Sequence, residues 1–162
     1  MSFERIALIT GATSGIGEAT ARLLARNSFK LILCGRRQER LNLLKQELSK
    51  ETTVTTLSFD VREKEAVHTA VSSLAAEWRD IDVLVNNAGN AHGLDPIQSG
   101  STEDWDAMID INVKGLLYVS REILPLMVAR KSGHIINLGS IAGKEVYPNG
   151  NVYSARDRKS VV

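Results

Sequence analysis

The chain has 162 residues, a formal net charge of +1, and 43% apolar and 24% charged residues. That length is enough for one domain with a real core, and the near-neutral charge gives no case for nucleic acid or an anionic membrane as a partner. No apolar run reaches the roughly 18 residues that a spanning helix needs; the single cysteine, Cys34, excludes an internal disulfide and suits a reducing compartment; and the opening MSFERIALIT lacks the pattern of a signal peptide, so a cytoplasmic location is expected.

Apolar runs alternate with amphipathic stretches. Residues 6–10 (IALIT) predict a buried strand, and 16–26 a helix with Ile16, Ala19, Leu23 and Leu24 on one face. Residues 30–34 (KLILC) predict a second strand, and 39–50 a second helix on Leu41, Leu44 and Leu48. A third strand is expected at 54–59, rich in β-branched residues, and a third helix over 63–78 on Val67, Val71, Leu74 and Trp78. Residues 81–85 (IDVLV) read as a fourth strand. Ser101 and Asp104 have capping-box spacing at the start of a long helix running to about residue 130, which Pro125 is expected to bend by removing a backbone donor. A fifth strand covers 135–138. This alternation predicts an α/β fold, a doubly wound parallel sheet of the Rossmann kind with five strands in the order 3-2-1-4-5. There is no internal repeat or linker.

The first strand runs into TGATSGIG, with Gly11, Gly15 and Gly17, directly before a helix. Glycine lets the backbone turn sharply and lets a pyrophosphate approach its amides, and the helix start adds free N–H groups and a positive dipole end. Enzymes of this fold that use NAD place an acid about 20 residues past the motif. Here the second strand ends in Cys34-Gly35-Arg36-Arg37-Gln38, and no acid appears before Glu39. Two arginines where an acid would repel a phosphate point to NADP.

TGATSGIG at 10–17, the Asp60-Val61 pair, NNAG at 86–89, Asn112 in the long helix, Ser140 after a strand and Tyr153 thirteen residues later form an ordered set. On these residues the chain resembles the short-chain dehydrogenase/reductase family over about residues 4–155. Within it, GRRQERL, DIDVLVNNAG and GHIINLGSIAG are most similar to NADP-dependent 3-hydroxy acid dehydrogenases acting on serine, allo-threonine or 3-hydroxyisobutyrate-like substrates.

The resemblance implies roles. Gly11, Ala12, Thr13, Ser14, Gly15 and Ile16, with Gly17 behind them, would cradle the pyrophosphate of NADP, and Arg36 and Arg37 would hold its 2′-phosphate. Asp60 and Val61 would border the adenine, while Asn87, Ala88 and Gly89 would line the cofactor cleft. Ser140 would hydrogen-bond the substrate oxygen, Tyr153 would be the general acid or base, and Asn112 would anchor a proton relay. The substrate would be a small hydroxy acid or its carbonyl counterpart, and the intact protein a homo-oligomer built through the long helix and the helix starting near Tyr153.

One departure matters. A tyrosine ordinarily titrates at about pH 10, so a base near neutrality needs nearby positive charge to stabilise its phenolate. The family supplies a lysine four residues on, one helical turn away; here that position is Asp157, which opposes a phenolate, and Lys159 would face another side of the helix. The chain is also shorter than members of the family, which implies a Rossmann domain over 1–155 that is incomplete at its C-terminal end. Residues 156–162 are expected to be a non-native tail, since 157–162 (DRKSVV) reads like a translated library adapter. The alternatives are a catalytically dead NADP-binding module and a fragment that does not fold stably.

Among other residues, His68 is expected at the surface, His92 in a loop beside the cleft and His134 at the start of a strand. Cys34 reads as a buried small hydrophobe. No His, Cys, Asp and Glu cluster has metal-ligand spacing, and no metal is expected.

Overall fold

The computed structural model describes residues 5–93, 95–145 and 151–157. Five parallel strands, β1 (Ile6–Thr10), β2 (Lys30–Gly35), β3 (Val54–Ser58), β4 (Ile81–Asn86) and β5 (His134–Asn137), form one sheet in the order β3-β2-β1-β4-β5. Leu8 stands level with Ile32 of β2 and with Leu84 of β4, and Val85 with Ile136 of β5. The helices are α1 (Gly15–Arg26), α2 (Gln38–Leu48), α3 (Lys64–Ser72), α4 (Thr102–Ile109), α5 (Gly115–Arg130) and α6 (Asn151–Asp157). No helix among the described residues is long and apolar enough to cross a membrane.

Successive strand residues point to opposite faces, and each face has its own core. Ala7, Ile9, Leu31, Leu33 and Val85 pack with Ala21 and Ala25 of α1 and Leu41, Leu44 and Leu48 of α2. Leu8, Ile32, Cys34 and Leu84 pack with Val67 and Val71 of α3 and Val119, Ile123 and Met127 of α5. From β1 the chain runs outward through β2 to β3 and then returns to β4 on the other side of β1, so the direction of winding reverses between β1 and β4. A crevice opens there, beyond the carboxyl ends of the strands.

Three helices differ from their sequence patterns. Helix α1 buries Gly17, Ala21 and Ala25, while Ile16 and Leu23 are 66% and 61% exposed. Small residues let α1 lie close on the sheet, with Leu24 packed beside them, while Ile16 and Leu23 point outward. Helix α3 stops at Ser72 instead of reaching residue 78, because Ala75 is extended and a short 3-10 turn, Ala76–Trp78, follows. The Arg79 guanidinium then donates to the Leu74 and Ser72 carbonyls (3.0 and 3.1 Å) and satisfies the helix end. The long helix is not continuous: a π-helical turn, Asp110–Lys114, lies between α4 and α5, and Pro125 lies inside α5. The start follows the capping pattern: the Asp104 amide donates to Ser101 Oγ (3.3 Å).

Candidate functional site

A cleft of about 550 Å3 occupies the crevice, a size typical of small-molecule sites. Every sequence-derived candidate lines it except Ala12 and Gly17. Those two are buried behind the glycine loop. The Ala12 amide donates to the Cys34 carbonyl (3.1 Å), which ties the loop to the end of β2. Burial pushes the Cys34 thiol well above its ordinary range, in keeping with a packing role.

Gly11 and Gly15 carry positive φ angles of 64° and 54°, a region that side chains with a Cβ rarely occupy. A Cβ at Gly17 would strike Asn87 Nδ2 and the Gly11 carbonyl oxygen, whereas one at Gly15 would meet nothing within 4 Å. Glycine is thus required by close packing at one position and leaves open space beside the cleft at the other. The Ser14 side chain makes no capping bond to α1, so the donors of the first turn remain available to a ligand.

The end of β4 holds this loop in place. Asn87 Nδ2 donates to the carbonyls of Thr10 and Gly11 (2.9 and 3.1 Å). The amides of Asn87 and Ala88 both donate to Thr10 Oγ1 at 3.0 Å. Asn86 was not among the sequence candidates, yet it is 4% exposed and lines the cleft. Its Nδ2 donates to Ser120 Oγ and Asn137 Oδ1 (both 2.9 Å), joining β4 to α5 and β5. The paired asparagines at a strand end were the available signal, because a buried amide needs partners.

The other side of the glycine loop is basic. Arg37 donates to Thr13 Oγ1 (3.0 Å) and Ser14 Oγ (3.3 Å), so its guanidinium lies against the loop. Arg36 reaches Asp60 Oδ2 at 3.4 Å. Asp60 is held far more closely by Arg62, whose Nη2 lies 2.7 Å from Oδ2. Burial would lift the Asp60 carboxyl, but hydrogen bonds from Arg62 and the charges of Arg62 and Arg36 outweigh it and hold the group below the usual carboxylate range. Val61 is buried against Gly115, where a Cβ would come within 2.7 Å of its methyl group.

At the far end of the cleft stand Asn112, Ser140 and Tyr153. Asn112 sits in the π-helical turn and is 6% exposed. Its Oδ1 accepts from the Asn90 amide (3.0 Å), and its Nδ2 donates to the carbonyls of Asn90 (2.9 Å) and Met108 (2.8 Å). One side chain thereby bonds the widened turn and fastens the loop after β4. Such turns cluster at functional sites. Ser140 follows β5 and accepts from the Ala142 amide at 3.2 Å. Tyr153 is half-buried on α6, which packs against the turn Ile141–Gly143 and α4. The structure therefore brings the glycine loop, the arginine pair and the Asn112, Ser140 and Tyr153 set to one cleft.

His92 is exposed, with Nε2 2.7 Å from Asn90 Nδ2; His68 is exposed beside Glu122 (3.0 Å); and His134 opens β5. Among the described residues no His, Cys, Asp and Glu side chains group as metal ligands.

The model of the short chain dehydrogenase family matches residues 5–156. The NADP-dependent 3-hydroxy acid dehydrogenase YdfG of Salmonella typhi is 55% identical over 150 residues, 93% of this chain and 60% of that protein. Sulfoacetaldehyde reductase 2 of Chromohalobacter salexigens is 46% identical over 151 residues, again 93% of this chain and 60% of that protein. Among solved structures, serine dehydrogenase from Escherichia coli superimposes with a TM-score of 0.89 at 49% identity, covering 95% of this chain and 70% of that one. The closed form of serine dehydrogenase complexed with NADP+ gives a TM-score of 0.89 at 50% identity, covering 95% and 61%. The chain spans about 60% of the length of the curated relatives it matches.

Proposed function

The chain belongs to the short chain dehydrogenase family, and from that premise we propose that the whole protein is an NADP-dependent oxidoreductase acting on a small hydroxy acid or its carbonyl counterpart. The observation that carries this reading is a single cleft with the glycine loop and Arg36–Arg37 at one end and Ser140 and Tyr153 at the other. A 3-hydroxy acid is the preferred substrate class, supported by the similarity to a 3-hydroxy acid dehydrogenase and a serine dehydrogenase.

The residues present fit NADP. The open space at Gly15 and the donors at the start of α1 suit a pyrophosphate. Arg36 and Arg37 suit the 2′-phosphate, since guanidinium groups pair well with phosphate oxygens. Asp60 and Val61 would border the adenine, and Asn87, Ala88 and Gly89 the nicotinamide half of the cleft. When bound, the nicotinamide supplies or accepts the hydride. The chain's task is then the proton: Ser140 Oγ orients the substrate oxygen, and Tyr153 gives the proton as a phenol in reduction or takes it as a phenolate in oxidation. Asn112 fixes the loop between these groups through Asn90.

The reading extends to a cytoplasmic homo-oligomer. Exposed Leu117, Leu124 and Val128 on α5 support a self-association face there.

Asp157, where the family resemblance calls for lysine, favours a second reading for the chain with this residue: cofactor binding without appreciable turnover. NADPH absorbance, followed with serine and 3-hydroxy acids as substrates, separates the two. Substrate-dependent turnover that rises in Asp157→Lys supports the oxidoreductase. NADP+ binding with no turnover in either form supports the binding module alone.

A further inference from the structure

Asp60 presents a difficulty for a phosphate at the basic end of the cleft. Its carboxylate is 18% exposed and lines the same cleft wall as Arg36. A bare carboxylate there would repel a phosphate dianion and hold Arg36 to itself. The structure contains a second cation on Asp60 that lies outside the cleft lining, Arg62.

The two arginines engage Asp60 very differently. Arg62 binds both carboxylate oxygens: its Nε lies 3.1 Å from each, and its Nη2 lies 2.7 Å from Oδ2. Its own backbone amide adds a bond to Oδ1 at 3.0 Å. This is a closed local grip between residues two apart, and bidentate charged pairs of this kind are the strong ones. Arg36 makes one 3.4 Å contact, and its side chain is 55% exposed. A pair that open is worth little and is easily exchanged for another anion.

We infer that Arg62 is a positioning residue for cofactor choice: by saturating Asp60 it leaves Arg36 free to bind the 2′-phosphate. The inference rests on the NADP reading above and deepens it. Arg62 acts through Asp60, without touching the cofactor. Removing it turns Asp60 into a competitor for Arg36 and a repulsive neighbour of the phosphate. NAD+, which carries no 2′-phosphate, feels neither effect.

Calorimetric titrations of NADP+ and NAD+ into the chain, Arg62→Gln, Arg62→Lys, and the double variant Asp60→Asn/Arg62→Gln test this. Arg62→Gln is expected to weaken NADP+ about fivefold, the order of a unit-charge contact about 4 Å long at the dielectric of bulk water, with NAD+ nearly unchanged. Arg62→Lys keeps a cation in reach of Asp60 and is expected to retain most of the preference. The double variant removes the carboxylate's charge and is expected to restore the NADP+/NAD+ ratio. Any loss of an adenine contact at residue 60 weakens both cofactors alike, so it leaves that ratio unmoved. The inference is overturned if Arg62→Gln keeps the ratio, weakens both cofactors equally, or is not corrected by Asp60→Asn. Absence of NADP+ preference in the unsubstituted chain overturns the cofactor reading itself.

Discussion

Gly17→Ala is the sharpest probe of the packing behind the cleft. In an ordinary helix this change gains up to about 1 kcal/mol. Here the added methyl would meet Asn87 Nδ2 and the Gly11 carbonyl oxygen. Gly11 sits in backbone with a φ of 64° and cannot retreat freely, because its carbonyl accepts from that same Asn87 amide (3.1 Å). Overpacking this close against backbone lies in the upper part of the usual range, about 2–3 kcal/mol. With the helix gain set against it, a net loss of about 1–2 kcal/mol is expected. For a chain of this size that is a Tm lower by about 2–8 °C, read by differential scanning calorimetry. Gly15→Ala is the control: it costs about 1 kcal/mol through its left-handed backbone alone, with no neighbour within 4 Å. In an Asn87→Ala background the Gly17 penalty should shrink, since one of its two obstacles is gone. A Gly17→Ala variant that melts at or above the unsubstituted protein would refute the close approach of α1, the glycine loop and Asn87.

Three further outcomes are expected. Ser101→Ala removes the acceptor for the Asp104 amide and should cost about 1 kcal/mol, a fall of about 2–4 °C in Tm. Arg37→Ala should weaken NADP+ about tenfold while sparing NAD+, the order of a lost hydrogen bond to a charged group, as measured by calorimetric titration. The Asp60 carboxyl is held below its ordinary value, so its contribution to stability is present above about pH 4 and is lost as pH falls through the lowered folded value. The gap in urea midpoint between the unsubstituted protein and Asp60→Asn should therefore narrow between about pH 5 and about pH 3; a gap that widens in acid would contradict the ion pairs at Asp60.

Strands β1 and β2 were legible because a run such as IALIT, buried on every residue, has no polar alternation to obscure it. Leu41, Leu44 and Leu48 marked α2 just as plainly. Hydropathy misassigned the face of α1 because it weights Ile16 and Leu23 above glycine and alanine, whereas close contact with the sheet selects the small residues. The π-helical turn at Asp110–Lys114 left no trace in the apolar pattern. An extra residue rotates the following helix by about 100°, but α5 also carries apolar residues off its buried face, among them Leu117, Leu124 and Val128, which hides the shift, and only an asparagine in mid-helix hinted at it. The cleft was legible where one short stretch contains both the glycine turn and the helix start that line it, as in TGATSGIG. It was not legible where the tie is long-range: Asn86 to Asn137 spans 51 residues. Arg62 escaped notice because it lines no part of the cleft and acts on a neighbour that does.

The most direct test of the cofactor assignment is calorimetric titration of this chain with NADP+ and NAD+ under identical conditions. Saturable binding of one NADP+ per chain, tighter than NAD+ and weakened by rising salt, is the expected result. Equal affinities, a preference for NAD+, or no binding of either would contradict the assignment of Arg36 and Arg37 to the 2′-phosphate.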